Sequence, residues 1–224
     1  PRSCEELCTD MAGLIRKVVA DAGLSMDEIQ WIGIGSPGAI DAKSGEIVYA
    51  NNLGYIHAPM GSELKRLTGK DVYMENDANA AAYGEAVAGA AKGTQVSVTV
   101  TLGTGVGGGI IIDGKVFSGW NSFGAELGHM VTVQNGRQCT CGRKGCWEAY
   151  ASVSGLIHQT KTAMIDHPDS VMWQIVGGDI KQVNGRTAFD AMRSGDAVAK
   201  AVCDKYIEYI ACGAANVINI FQPE

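Results

Sequence analysis

The stretch Val96-Ser-Val-Thr-Val-Thr-Leu-Gly-Thr-Gly-Val-Gly-Gly-Gly-Ile-Ile-Ile112 decides the fold. Val96, Val98 and Val100 alternate with Ser97, Thr99 and Thr101, the period of two that marks a half-buried strand. A glycine-rich turn over 103–109 then leads into a second strand, Ile110-Ile111-Ile112, and Asp113-Gly114 signals another turn. Upstream, the strand Val72-Tyr73-Met74 ends in Glu75-Asn76-Asp77 and runs into an Ala-rich helix from Ala78 to Ala91. Strands alternating with helices make this an α/β protein.

The rest of the chain agrees. Ser3 and Glu6 form a capping box, followed by Leu7, Met11, Leu14 and Val18 at helical spacing until Gly23. Trp31–Gly35 reads as a strand, and the polar turn 41–45 joins Glu46–Tyr49 in a hairpin. A helix is expected around Ser62–Leu67, and beyond Tyr150 the pattern is mostly helical. Its last stripe, Val198, Val202, Tyr206, Tyr209, Gly213, Val217 and Ile220, runs to Pro223. A domain boundary is expected near Glu75, dividing the chain into 1–75 and 76–224. The chain lacks an initiator Met, and its last helix has no closing element, so both ends read as interior to a longer protein.

Composition narrows the class. With 46% hydrophobic and 19% charged residues, 30 Gly and 5 Pro, the chain is neither disordered, collagen-like nor a disulfide scaffold. A formal charge of −6 argues against a general nucleic-acid binder, which needs a basic surface. No apolar run reaches the roughly 18 residues of a membrane span, so a soluble, cytoplasmic protein is expected. Of seven cysteines, Cys4, Cys8, Cys203 and Cys212 sit in helical patterns as small core residues, whereas Cys139, Cys141 and Cys146 cluster.

Two G-x-G-x-x-G matches, at Gly33 and Gly103, lack the helix a dinucleotide fingerprint requires, and there is no Walker A loop. Gly103, Thr104 and Gly105 could still cradle an anion through backbone N–H groups, with the Thr104 hydroxyl as a further donor. A tight turn built for geometry alone is the other reading. Asp77 is either a helix N-cap or a general base at the carboxyl end of a strand, with Asn76 beside it to bond a substrate hydroxyl. His129, Cys139, Cys141 and Cys146 offer the one imidazole and three thiolates of a closed, structural zinc site, the other reading being a chance cluster of core cysteines. Glu126, His129 and Glu148 are candidates for a pocket that reads hydroxyls, although an exposed Glu is ordinarily just solvated.

The motifs Gly33-Ile-Gly-Ser-Pro-Gly-Ala-Ile-Asp41, Glu75-Asn-Asp-Ala-Asn-Ala80, Leu102-Gly-Thr-Gly-Val-Gly-Gly-Gly109, Glu126-Leu-Gly-His129 and Cys139-Thr-Cys-Gly-Arg-Lys-Gly-Cys-Trp-Glu148 occur together. In this combination the chain resembles the ROK family (repressors, open reading frames and kinases) of the actin-like ATPase superfamily, and within it the bacterial ATP-dependent glucokinases. The resemblance implies a two-lobed, ribonuclease H-like sugar kinase fold. It implies ATP with Mg²⁺ as co-substrate, a hexose as acceptor, structural Zn²⁺, and a homo-oligomer, dimer or tetramer. Asp77 would take the proton of the sugar 6-hydroxyl, and Asn76, Glu126, His129 and Glu148 would hold other hydroxyls. Gly38 and Ala39 would close the pocket through main-chain groups, with Asn51 or Asn52 nearby, of which Asn52 is taken as the site residue. Gly103, Thr104 and Gly105 would approach the nucleotide phosphates. The Asp-x-Gly-Gly-Thr turn that opens such kinases and the adenosine loop that follows them are both missing, so the 224-residue chain alone is expected not to turn over ATP. A sugar-sensing transcriptional regulator of the same family, or a kinase for N-acetylmannosamine or fructose, are the competing readings.

Overall fold

A computed structural model describes residues 2–50 and 53–224, so the Asn51 and Asn52 assignments fall outside the described residues. The chain forms two compact units, Pro1–Gln95 with Gly109–Ala125, and Val96–Gly108 with Glu126–Glu224.

In the first unit, α1 (Cys4–Asp21) starts at the expected capping box: the Ser3 hydroxyl accepts from the Glu6 amide and the Glu6 carboxylate accepts from the Ser3 amide. Such a cap contributes about 1 kcal/mol. The buried stripe differs from the expected one. Cys8 and Ala12 are buried, with Cys4, Leu7 and Met11 packed beside them, whereas Leu14 and Val18 are exposed. Strands β1 (Trp31–Ser36), β2 (Ala39–Asp41), β3 (Glu46–Ala50) and β4 (Tyr55–Ala58) follow, and β2, β3 and β4 form an antiparallel sheet. After α2 (Met60–Thr68), Gly69 at φ 72° ends the helix in the left-handed region. Strand β5 (Asp71–Asn76) then pairs parallel with β1, with Gly35 opposite Glu75 and Ser36 opposite Asn76. Cys8, Ile40, Ile47, Leu64 and Met74 make the core of this unit.

Helix α3 (Asp77–Ala88) begins immediately after β5. A Cβ on Gly35 would lie 3.4 Å from the Asp77 Cα, so α3 starts close against β1. That packing keeps α3 with the strands before it.

Strands β6 (Val96–Leu102), β7 (Val106–Ile112) and β8 (Lys115–Val116) have the order β6-β7-β8. The turn at Asp113 and Gly114 has both residues at positive φ, 51° and 73°, as a two-residue hairpin requires. The glycine run is a correction to the sequence reading. Only residues 103–105 are loop, and the glycines at 107–109 lie within β7. Two of them serve packing: a Cβ on Gly109 would stand 2.4 Å from the Ala82 Cβ and 2.6 Å from the Ala78 carbonyl, and one on Gly108 would stand 2.5 Å from Leu127.

The second unit is largely helical, with α4 (Glu148–Ala151), α5 (Val153–Asp166), α6 (Met172–Ile175), α7 (Thr187–Arg193) and α8 (Ala197–Phe221). Leu156, Met164, Met172, Ala188, Ala191, Cys203 and Tyr206 form its core. Cys212, expected inside, is exposed. Among the described residues no helix is long and apolar enough to cross a membrane.

Two glycines separate the packing and propensity effects. Gly109→Ala is expected to cost roughly 1–3 kcal/mol by overpacking. Gly84→Ala, in the exposed middle of α3 with nothing within 4 Å, should add about 0.5–1 kcal/mol. Urea unfolding of the two variants measures both.

Candidate active site and metal centre

The first unit places Asn76, Asp77, Gly38 and Ala39 together. Asn76, not Asp77, caps α3: its Oδ1 accepts from the amides of Ala78 and Asn79 at 2.9 and 3.1 Å. Its Nδ2 donates to the Gly38 carbonyl at 3.0 Å, leaving one N–H of the side-chain amide. Gly38, at φ 98°, is confined to glycine, because a Cβ would stand 2.2 Å from the Tyr49 carbonyl. The residue before the cap, Glu75, accepts from the Asn76 amide and from Asn79 Nδ2 at 2.9 and 3.1 Å, a support the sequence reading did not identify.

Released from capping, Asp77 is the first residue of α3 and is exposed. Its Oδ1 accepts from the Ala78 amide at 2.9 Å. An exposed carboxylate at a helix start, at the carboxyl end of a parallel strand, is a placement that serves proton abstraction.

The second unit carries Gly103, Thr104, Gly105, Glu126, His129, Glu148 and the cysteine cluster. Leu127–His129 is a single 3-10 turn with the exposed Glu126 at its N-terminus. Gly128 lets this turn sit on β7, since a Cβ there would lie 2.1 Å from the Val106 carbonyl. Glu148 is half-buried rather than solvated. Its Oε2 accepts from the Val106 amide at 3.1 Å, and its Oε1 lies 3.7 Å from Cys139 Sγ. A Cβ at Gly105 would meet Oε2 at 2.1 Å and displace this carboxylate. The Gly103 amide bonds the Gly105 carbonyl at 3.0 Å. With the Gly103 and Val106 amides thus engaged, any anion cradle narrows to Thr104 and Gly105.

One ligand atom from each of His129, Cys139, Cys141 and Cys146 lies within 4.8 Å of the others. The fit to zinc can be tested by distance. Tetrahedral bonds of about 2.3 Å to sulfur and about 2.0 Å to nitrogen put S···S near 3.8 Å and S···N near 3.5 Å. Cys141 Sγ to Cys146 Sγ is 3.6 Å, and Cys139 Sγ to His129 Nδ1 is 3.7 Å. These two pairs match the spacing zinc requires, and all four ligand atoms lie within 4.8 Å of one another. The loop is shaped by Gly142 and Gly145, at φ 89° and 81°, and the Arg143 carbonyl accepts from the Cys139 amide at 2.8 Å. Trp147 anchors its far end: the buried indole donates to the Tyr209 carbonyl at 2.7 Å. It packs against α8, where a Cβ on Gly213 would fall 2.0 Å from the ring.

The thiols differ in acidity. The hydrogen bond from the Arg143 backbone holds Cys141 down at about 7. Burial pushes Cys146 up to about 12.

The ROK family model matches residues 1–224. The chain belongs to the ROK family. It is 39% identical over 199 residues to a glucokinase of Thermotoga maritima, covering 88% of this chain and 62% of that one. A xylose repressor of Bacillus subtilis is 33% identical over 195 residues, covering 86% of this chain and 46% of the repressor. Among solved structures, a ROK family glucokinase from Streptomyces griseus in complex with glucose and AMPPNP matches with a TM-score of 0.82 and 33% identity, over 96% of this chain and 69% of that one. The fold is thus that of the ROK glucokinases, an α/β actin-like sugar kinase fold, of which this chain spans about 62% of the Thermotoga enzyme's length.

The acidity difference predicts a labelling pattern in metal-free protein. A thiol is reactive as thiolate, and a lowered pKa brings that form in at lower pH. Iodoacetamide should modify Cys141 with a half-maximal rate near pH 7, and Cys146 only after unfolding. Peptide mass spectrometry across pH 6–9 reads both; equal rates at the two sites would contradict the assignment.

Proposed function

We propose that the protein to which this chain belongs phosphorylates a hexose, glucose first among acceptors, using ATP held with Mg²⁺. The observation that carries this reading is Asp77, an exposed carboxylate freed from capping by Asn76, in a chain 39% identical to a glucokinase. Asp77 takes the proton from the sugar 6-hydroxyl as that oxygen bonds to the γ-phosphorus, while the bond to the β,γ-bridging oxygen breaks and ADP leaves. Positioning and charge stabilisation supply most of the rate in such a transfer. Glu126, His129 and Glu148 hold other hydroxyls, Asn76 offers its remaining N–H, and Gly38 and Ala39 contribute main-chain groups. Thr104 and Gly105 meet the phosphates. His129, Cys139, Cys141 and Cys146 would hold Zn²⁺ in a closed site, where the ion supplies rigidity to the loop bearing Glu148 and no open position for chemistry. Self-association into a dimer or tetramer belongs to the same reading, and N-acetylmannosamine or fructose in place of glucose is the alternative acceptor.

The similarity to a xylose repressor supports a second reading, sugar sensing without turnover. An accessible base at Asp77 is not needed for sensing, and it favours the kinase.

Coupled ADP detection on the full-length protein with a hexose panel separates the two. Asp77→Asn should lower kcat by about 10²–10⁴-fold with sugar binding retained; wild-type turnover in the variant would end the base assignment. Metal analysis should find about one zinc per chain, and chelation should lower both Tm and sugar affinity. A zinc-free protein with unchanged Tm would count against the metal centre.

A further inference from the structure

The second unit contains a groove that the proposed chemistry does not use. It is an open groove with a volume of about 700 Å³, lined by residues of α5 and α8 together with Arg137 and Tyr150. That volume lies in the range of small-molecule sites, roughly 300–1,000 Å³. Tyr150, just before α5, meets Tyr209 in the middle of α8, with ring centroids 4.6 Å apart and planes tilted by 37°. The floor is apolar and made of small residues, Ala163, Val198, Ala201 and Val202.

Charge is gathered at the tyrosine end. Lys205 holds its ammonium 5.2 Å from the Tyr209 ring centroid, and Arg137 lines the same wall with His158. Burial and the neighbouring Arg137 guanidinium lower the His158 pKa. The counter-charges are few: Asp166 lies at the other end of α5, and Glu208, outside the lining, pairs with Lys205 at 2.8 Å with both side chains more than half exposed. An exposed pair of this kind is weak, about 0–1 kcal/mol, so Lys205 can change partner.

We propose that this groove is a binding site for a small amphiphilic organic anion. Its carboxylate, sulfonate or phosphate sits between Arg137, His158 and Lys205, and its apolar body lies along the alanine–valine floor against the Tyr150–Tyr209 pair. Cation and aromatic face together suit an anion with a flat apolar body. Arg137 also ties the site to the cysteine loop. Its backbone amide donates to the Tyr150 hydroxyl at 2.6 Å, its guanidinium to the Ala149 carbonyl at 3.0 Å, and its carbonyl accepts from Gly145 at 2.8 Å.

Because Arg137 supports that loop, the test uses exposed helix positions instead. Naphthalene-1-sulfonate is titrated into the full-length protein by calorimetry, beside its neutral analogue 1-naphthalenemethanol. The sulfonate should bind with unit stoichiometry and at least tenfold more tightly than the alcohol. Ala201→Trp, which fills the groove, and Lys205→Glu, which reverses its charge, should each weaken the sulfonate at least tenfold. Both sites are exposed, so circular dichroism should show folded variants with nearly unchanged Tm. Absence of binding at millimolar probe, equal affinity for sulfonate and alcohol, or binding indifferent to both variants would overturn the site.

Discussion

The second unit depends on one contact, the indole of Trp147 laid against the bare backbone of α8 at Gly213. A side chain of this size is stabilising when fully buried, by about 1.5–3 kcal/mol and more for its larger area, and its N–H must find an acceptor when it leaves water. The Tyr209 carbonyl provides that acceptor. The neighbours of Trp147 in sequence are Cys146 and Glu148, so fixing the ring fixes a prospective metal ligand on one side and a carboxylate on the other. The carboxylate in turn bonds the first amide of β7. A single buried ring thereby sets the geometry of the cysteine cluster and of the glycine loop.

Much of this architecture was legible in the sequence because its signals are local. The capping box at Ser3 and Glu6, the strand at 96–101, the Asp113-Gly114 turn and the spacing of His129, Cys139, Cys141 and Cys146 each act within a few residues, and each appears in the structure, although within that strand burial does not alternate and it is Ser97 that is buried. The metal spacing is local for a physical reason: thiolates that share an ion must stand less than about 4 Å apart, which a short glycine-containing loop achieves.

What the sequence hid is tertiary. A glycine that turns the chain and a glycine that yields room to a neighbour are the same letter. Gly107–109 therefore reads as turn, and only Leu127, Ala78 and Ala82 reveal Gly108 and Gly109 as strand. In α1 the helical period admits Leu14 and Val18 to the apolar stripe, yet the core of the unit reaches only the first half of that helix. At the start of α3, Asn76 and Asp77 are equally good caps by type, and the choice falls to Asn76 because its amide can also serve the Gly38 carbonyl. Trp147 and Gly213 are partners whose separation leaves no trace in a local pattern.

These separations bear on biosynthesis. The four side chains of the His/Cys cluster fall within residues 129–146, so the cluster can close on nascent chain as soon as that segment emerges. Trp147 must wait some sixty residues more for the carbonyl it bonds, at Tyr209. During that interval a large indole has no place to go, and a chain stalled before α8 would expose it to chaperones or to aggregation. Translation past residue 213 is therefore the step at which this half of the molecule can become a settled fold.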